Sequence, residues 1–161
     1  MKLALIGYGK MGRMIGQLAP EYGFTLHACV DLGDDRAKAA GADVAIELTT
    51  PDAALVNIEK LAAMKIPTVV GTTGWLEDMD RVRAVVEQNG TSLVWSPNFS
   101  VGVNVFFRLV REAARLLTDE PEYGAWAWEI HHDTKKDAPS GTMIKLGEEM
   151  KAAGYKRHID V

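Results

Sequence analysis

Cysteine is nearly absent: Cys29 is the only one in 161 residues, which excludes an intrachain disulfide and any cysteine-based zinc ligand set. A lone thiol suits a reducing compartment, and a cytoplasmic location is expected. Long apolar runs are also missing. No segment approaches the roughly 18 to 20 residues needed to cross a bilayer, and the run that follows Met1 and Lys2 is too short for the core of a secretory leader. No membrane partner is therefore expected. There is no basic excess either, since 18 Lys and Arg stand against 22 Asp and Glu for a net charge of -4. The basic residues are scattered, which argues against a nucleic-acid partner. No spacing of histidine and carboxylate side chains suggests a metal site, and neither an internal repeat nor a low-complexity segment occurs. What remains is small-molecule chemistry on a globular chain, 47% hydrophobic and 25% charged, long enough for one complete core and part of a second.

The apolar pattern alternates between two periods. Residues 3–6 form a short continuous apolar run stopped by Gly7, as in a strand buried on both faces of a parallel sheet. Helical spacing follows through Met11, Ile15, Leu18 and Tyr22, with Gly23 placed to end the helix. Strands are expected at 25–30, 44–48, 68–70 and 92–95. Helices are expected after Pro51, with Leu55, Ile58 and Leu61 on the apolar face, and at 77–88, while the charged, alanine-rich link before Val44 specifies its helix weakly. Such alternation implies an α/β fold of Rossmann type, a doubly wound parallel sheet with helices on both faces. A helix carrying Val105, Phe106, Leu109, Val110 and Leu116 precedes Pro121, and the domain boundary is placed there, giving 1–120 and 121–161. The second part, with a strand at 125–130, a helix at 140–153 and a strand beginning at 157, is expected to be an incomplete α+β substrate domain. Trp126 and Trp128 alternate on one strand face and point to core or subunit packing.

Gly7-Tyr8-Gly9-Lys10-Met11-Gly12 fits the G-x-G-x-x-G fingerprint between a strand and a helix, where a dinucleotide pyrophosphate sits on the helix N-terminus. Gly7 permits the tight turn, Gly9 lets the backbone approach the phosphates, and Gly12 lets helix and strand pack closely. Lys10 adds positive charge, and Met11 completes the cofactor-binding set at the helix start. A glycine-rich turn alone is a weak signal. Asp31 strengthens it, because a carboxylate about 20 residues on, at the end of the second strand, accepts hydrogen bonds from the adenosine ribose. No arginine follows Asp31 directly, so NADH is slightly favoured over NADPH, with Arg36 and Lys38 as the residues able to reverse that preference.

Further candidates lie at the carboxyl ends of the later strands, where open sheets bind ligands. They are Thr49, then Gly71, Thr72 and Thr73, then Ser96, Asn98 and Phe99. The stretch from Glu129 to Thr142 is denser in chemistry. His131 and His132 offer a proton near neutral pH, Lys135 offers a countercharge, and Ser140, Gly141 and Thr142 open a helix whose first amides face an anion. Read blandly, the same residues are a strand end, solvated lysines and a helix cap.

These residues resemble the dihydrodipicolinate reductase family, whose members are also called 4-hydroxy-tetrahydrodipicolinate reductases. The resemblance rests on the glycine loop, on Gly71-Thr72-Thr73-Gly74, on the run from Pro97 to Asn104, and above all on the run from His131 through Lys135 to Asp137-Ala138-Pro139-Ser140-Gly141-Thr142. Ser96 departs from it, standing where the family usually has alanine. The resemblance implies reduction of 4-hydroxy-tetrahydrodipicolinate to tetrahydrodipicolinate with NADH or NADPH, in the synthesis of diaminopimelate and lysine. It implies His131 and Lys135 as the catalytic pair, either of which supplies the proton, and His132, Lys135, Ser140, Gly141 and Thr142 as the residues that bind the dicarboxylate substrate. It further implies a homo-oligomer, a tetramer in the family. Family members continue beyond residue 161 with further strands of the substrate domain, so the alternative reading is a truncated nucleotide-binding module without turnover.

Overall fold

The computed structural model describes residues 1–131 and 139–160. The chain divides into two compact units, Met1–Ser96 and Pro97–Val161. In the first, β1 (Lys2–Ile6), β2 (Thr25–Val30), β3 (Val44–Glu47), β4 (Thr68–Val70) and β5 (Leu93–Trp95) form one sheet in the order β2-β1-β3-β4-β5. Every neighbouring pair is parallel. The strand order reverses direction between β1 and β3, which makes the end of that pair the topological switch point of the sheet.

The central strand shows why the sheet is covered twice. Successive side chains of a strand point to opposite faces, and in β1 both faces are apolar. Ala4 and Ile6 pack with Val30, Ala45, Leu61 and Ile66 on one side, while Leu3 and Leu5 pack with Ala19, Ile15 and Phe24 on the other. Leu61 comes from α2 (Pro51–Ala63) and Ile15 from α1 (Lys10–Leu18), so the two helices take opposite faces. A third helix, α3 (Met79–Gln88), buries Val82 against Ile58, Val70 and Trp75.

Two elements differ from the sequence expectation for identifiable reasons. α1 stops at Leu18, four residues early, and Ala19–Tyr22 continues as a 3₁₀ turn closed by Gly23 at φ 79°. Pro20 is the cause, since it lacks the amide proton for the next helical bond and its ring crowds the preceding turn. The weakly specified helix between β2 and β3 is only a 3₁₀ turn, Arg36–Ala39, capped by the Asp35 carboxylate, which accepts from the Ala37 amide at 2.9 Å.

The second unit contains α4 (Val101–Leu116), β6 (Ala125–Trp126), α5 (Gly141–Ala152) and β7 (Ile159–Asp160). Its core is Ala114, Met150 and Tyr155, with Val110, Leu146 and Ile159 packed around it. α4 therefore groups with α5, and the division between compact units falls after Ser96 rather than near residue 120. Arg157 ties the unit together by donating from Nη2 to the Leu117 carbonyl at the end of α4, at 2.8 Å. β6 is shorter than the six residues expected, pairing through Ala125 and Trp126 with Ile159 and Asp160. Trp126 and Trp128 are 76% and 74% exposed, so they are not core residues of this chain. Among the described residues, no helix is long and apolar enough to cross a membrane.

Candidate functional site

The sheet register assembles the first group of candidates. Val30, Ile6, Glu47, Val70 and Trp95 lie in one row across the five strands. Asp31, Gly7, Gly71 and Ser96 are the next residues of four of these strands, and Thr49 is two beyond Glu47. Residues far apart in sequence thus emerge along one edge of the sheet, its carboxyl edge, where ligands of such folds bind.

Within this edge the three glycines meet different surroundings. Gly7 has φ +92°, and a Cβ there would fall 2.3 Å from the Leu48 carbonyl oxygen. A Cβ on Gly12 would fall 2.2 Å from the Gly7 carbonyl oxygen. Both positions are closed to side chains by backbone, so both glycines are needed for the turn and for the seating of α1. Gly9 is the opposite case: among the described residues, nothing lies within 4 Å of a Cβ built there. It is the N-cap of α1, and the first amides of an α-helix have no partner within the helix. Open space over unpaired amides, at the positive end of a helix dipole, suits an anionic group such as a pyrophosphate. Lys10 and Met11 are exposed beside it, and Gly12 is buried.

Asp31 is exposed at the end of β2. Its Oδ1 accepts from the Leu32 amide at 2.9 Å, and among the described residues Oδ2 has no hydrogen-bond partner. The two cations that bear on cofactor preference are both engaged. Lys38 pairs with Asp34, and Arg36 donates to the Asp34 carbonyl at 2.7 Å and from Nε to Asn57 Oδ1 at 3.0 Å. The Asp34 carboxyl is held below the usual carboxylate range, first by its hydrogen bond from Lys38 and then by the Asp31 amide.

The Thr49 hydroxyl is engaged within the chain, donated to Glu47 and accepting from Asn57 Nδ2 at 3.1 Å. The Gly71-Thr72-Thr73-Gly74 loop is pinned by two indoles. Trp75 and Trp95 both donate from Nε1 to the Thr72 carbonyl, at 2.8 and 3.1 Å, and their rings meet edge to face with centroids 5.8 Å apart. Thr73 is exposed, while Thr72 is buried with its hydroxyl unpaired among the described residues. The tryptophans carried no sequence cue beyond their apolar surroundings, because the hydrogen bond they share is made only in the folded loop.

In the second unit, Asn98 and Phe99 lead into α4. Asn98 Oδ1 accepts from the Ser100 amide at 2.8 Å, and the Ser100 hydroxyl caps the helix through the Val103 amide at 3.4 Å. Phe99 is half exposed. Ser140 is the N-cap of α5, its hydroxyl accepting from the Met143 amide at 3.1 Å. Among the described residues, no atom lies within 4 Å of a Cβ built on Gly141. His132 and Lys135 lie outside the described residues.

The side chain that organises this region is Glu129, which the sequence reading placed at the head of the stretch without a role. Its Oε1 accepts the Ser140 amide at 2.8 Å, and its Oε2 accepts the Ser140 hydroxyl at 2.5 Å and pairs with His131 Nε2 at 2.9 Å. One carboxylate thus joins the segment after β6 to the start of α5 and holds an imidazole beside them. The Ser140 hydroxyl, then His131, then the Ser140 amide favour its charged form and bring its pKa down to about 2. A cavity of about 530 Å³ is lined by Glu129, His131, Ser140 and Thr142 together with Trp126 and Trp128. Among the described residues, no group of three or more His, Cys, Asp or Glu gathers to hold a metal.

Residues 1–99 match the family model described as dihydrodipicolinate reductase, N-terminus, and residues 102–160 match its C-terminal counterpart. The chain belongs to the dihydrodipicolinate reductase family. A 4-hydroxy-tetrahydrodipicolinate reductase of Christiangramia forsetii is 36% identical over 152 residues, covering 93% of this chain and 64% of that protein. One from Anaeromyxobacter dehalogenans is 47% identical over 116 residues, covering 71% of this chain and 42% of that protein. The chain therefore spans about two fifths to two thirds of the length of these curated relatives. A dipicolinate-bound dihydrodipicolinate reductase from Paenisporosarcina sp. TG-14 superposes with a TM-score of 0.76 at 23% identity, covering 98% of this chain and 68% of that one. That likeness shows the shared fold, a Rossmann-type parallel sheet followed by an α+β unit. The two family matches meet at residues 99 and 102, close to the division between the compact units.

Proposed function

We propose that this chain carries the nucleotide-binding and catalytic residues of an NAD(P)H-dependent 4-hydroxy-tetrahydrodipicolinate reductase, a soluble cytoplasmic enzyme of diaminopimelate and lysine synthesis. The observation that carries the reading is the coincidence, in one chain matched by the family along nearly its whole length, of an open Gly9 at a helix start with the Glu129, His131 and Ser140 cluster. Gly7, Gly9, Lys10, Met11 and Gly12 hold the pyrophosphate, and Asp31 accepts the adenosine ribose hydroxyls. Thr49, Gly71, Thr72, Thr73, Ser96, Asn98 and Phe99 complete the cofactor set, with Thr49 contributing through its backbone. Bound there, the reduced nicotinamide supplies a hydride.

On the substrate side, Lys135 and the amides of Gly141 and Thr142 hold a carboxylate and stabilise negative charge that develops as the ring is reduced. His132 and Ser140 take part in binding the dicarboxylate. His131, steadied by Glu129, or Lys135 delivers the proton to the ring carbon next to the one reduced. The overall change balances: the substrate loses water and gains a hydride and a proton. Assembly into a homo-oligomer, a tetramer by the family's pattern, belongs to the same reading.

The test follows the absorbance of NADH, and separately of NADPH, with substrate generated in place by the preceding enzyme. Oxidation that depends on substrate supports the reading. Cofactor binding without oxidation reduces the chain to a nucleotide-binding module.

A further inference from the structure

Glu47 is a fully buried carboxyl at the end of β3, and Asn57, 1% exposed, is buried beside it on α2. The inward face of α2 is otherwise apolar at Ala54, Ile58 and Leu61, so packing alone would be served by an aliphatic residue at position 57. A buried amide is costly unless its hydrogen bonds are made. Those of Asn57 go to two different segments. Its Nδ2 donates to Glu47 Oε1 at 3.2 Å and to the Thr49 hydroxyl at 3.1 Å, and its Oδ1 accepts from Arg36 Nε at 3.0 Å. Glu47 Oε1 also accepts the Thr49 amide at 3.2 Å.

The far end of this network is the loop that follows β2. Asp31 and Asp34 brace one another there, the Asp31 amide donating to Asp34 Oδ2 at 2.9 Å and the Asp34 amide to the Asp31 carbonyl at 3.0 Å. Arg36 donates from Nη1 to the Asp34 carbonyl at 2.7 Å, so its guanidinium spans from that loop to Asn57. The exposed loop is thereby tied to a buried point at the end of β3, across the switch point of the sheet.

We infer that Asn57 is a positioning residue for the dinucleotide, holding the Asp31 loop through Arg36 in a set relation to the end of β3 and so raising affinity for the adenosine ribose. The inference rests on the reading of the first unit as a dinucleotide site with Asp31 at the ribose, and the experiment separates the two.

Binding of ADP-ribose to the whole chain is measured by calorimetry for the wild type, Asn57→Ala, Asp31→Ala and the double variant. Asn57→Ala weakens ADP-ribose about five- to tenfold in the wild-type background, the loss expected when a hydrogen-bonded tie is cut. In the Asp31→Ala background it changes affinity less than about twofold, because a residue acting through Asp31 has nothing left to position. A general structural role would instead weaken binding equally in both backgrounds, and that result overturns the inference, as does unchanged binding by Asn57→Ala. Should Asn57→Ala not fold, Arg36→Ala cuts the same tie from its half-buried end and must show the same dependence on Asp31. A wild-type chain that binds no ADP-ribose defeats the reading of the first unit, and the inference with it.

Discussion

Replacing Gly9 by alanine separates ligand binding from folding, because its surroundings are empty among the described residues and are where the proposed pyrophosphate lies. A methyl group there meets no described residue within 4 Å. Alanine is the poorer N-cap by about 0.5–1 kcal/mol, but losing glycine's freedom in the unfolded chain returns about 0.4–1 kcal/mol. Net stability should therefore move by less than about 0.5 kcal/mol, a melting shift of at most about 4 °C. The same methyl keeps a phosphate from reaching the helix amides. Losing one charge-assisted hydrogen bond costs about 1.5–3 kcal/mol, so NADH affinity should fall about 10- to 100-fold. Gly12→Ala is the contrasting control. Its Cβ would lie 2.2 Å from the Gly7 carbonyl oxygen, so α1 must shift by roughly an ångström, an overpacking cost of about 1–3 kcal/mol. The gain in helix propensity offsets about 1 kcal/mol, leaving a fall in melting temperature of several degrees, about 4–8 °C per kcal/mol for a unit of this size. Thermal melts and NADH titrations of the two variants, run side by side, check the reasoning. Wild-type NADH affinity in Gly9→Ala, or a melting temperature that falls as far as that of Gly12→Ala, would refute it.

Asp31→Ala should weaken NADH about tenfold and NADPH less, since the carboxylate favours a free 2′-hydroxyl; an unchanged ratio of the two dissociation constants removes Asp31 from the site. Lys135→Ala should lower turnover at least about tenfold while leaving cofactor affinity within about twofold, because its proposed partner is the substrate. Equal loss of both would contradict that role. Glu129 has a folded pKa of about 2 against an ordinary 4.5, so its contribution to stability is full above pH 4.5 and is lost as pH falls toward 2. In acid titrations followed by circular dichroism, Glu129→Gln should therefore differ from the wild type most at neutral pH and converge with it near pH 2. A difference that stays constant over that range would mean that Glu129 gains nothing from its charge.

The strands, their alternation with helices and the glycine loop were legible in the sequence, because each follows from local chemistry. A continuous apolar run stopped by glycine marks a strand covered on both faces, and Leu3 to Ile6 proved to be that strand. Pro20 also stood in the sequence, yet the helix was carried past it, since apolar spacing through Tyr22 continued while the backbone could not. Only the tertiary structure decided the rest. Sheet register set Asp31, Gly7, Gly71 and Ser96 along one edge, and no local pattern encodes register between strands of a parallel sheet separated by whole helices. The Thr49 hydroxyl turns inward because Glu47 and Asn57 are buried together and need partners. The grouping of α4 with α5 came from Val110 and Ala114 meeting Leu146 and Met150. Glu129 became the organiser of its region because residues 11 apart were brought within hydrogen-bond reach. A sequence specifies which groups need burial or a partner; the folded chain decides which partner each one finds, since that depends on distances between segments no local period records.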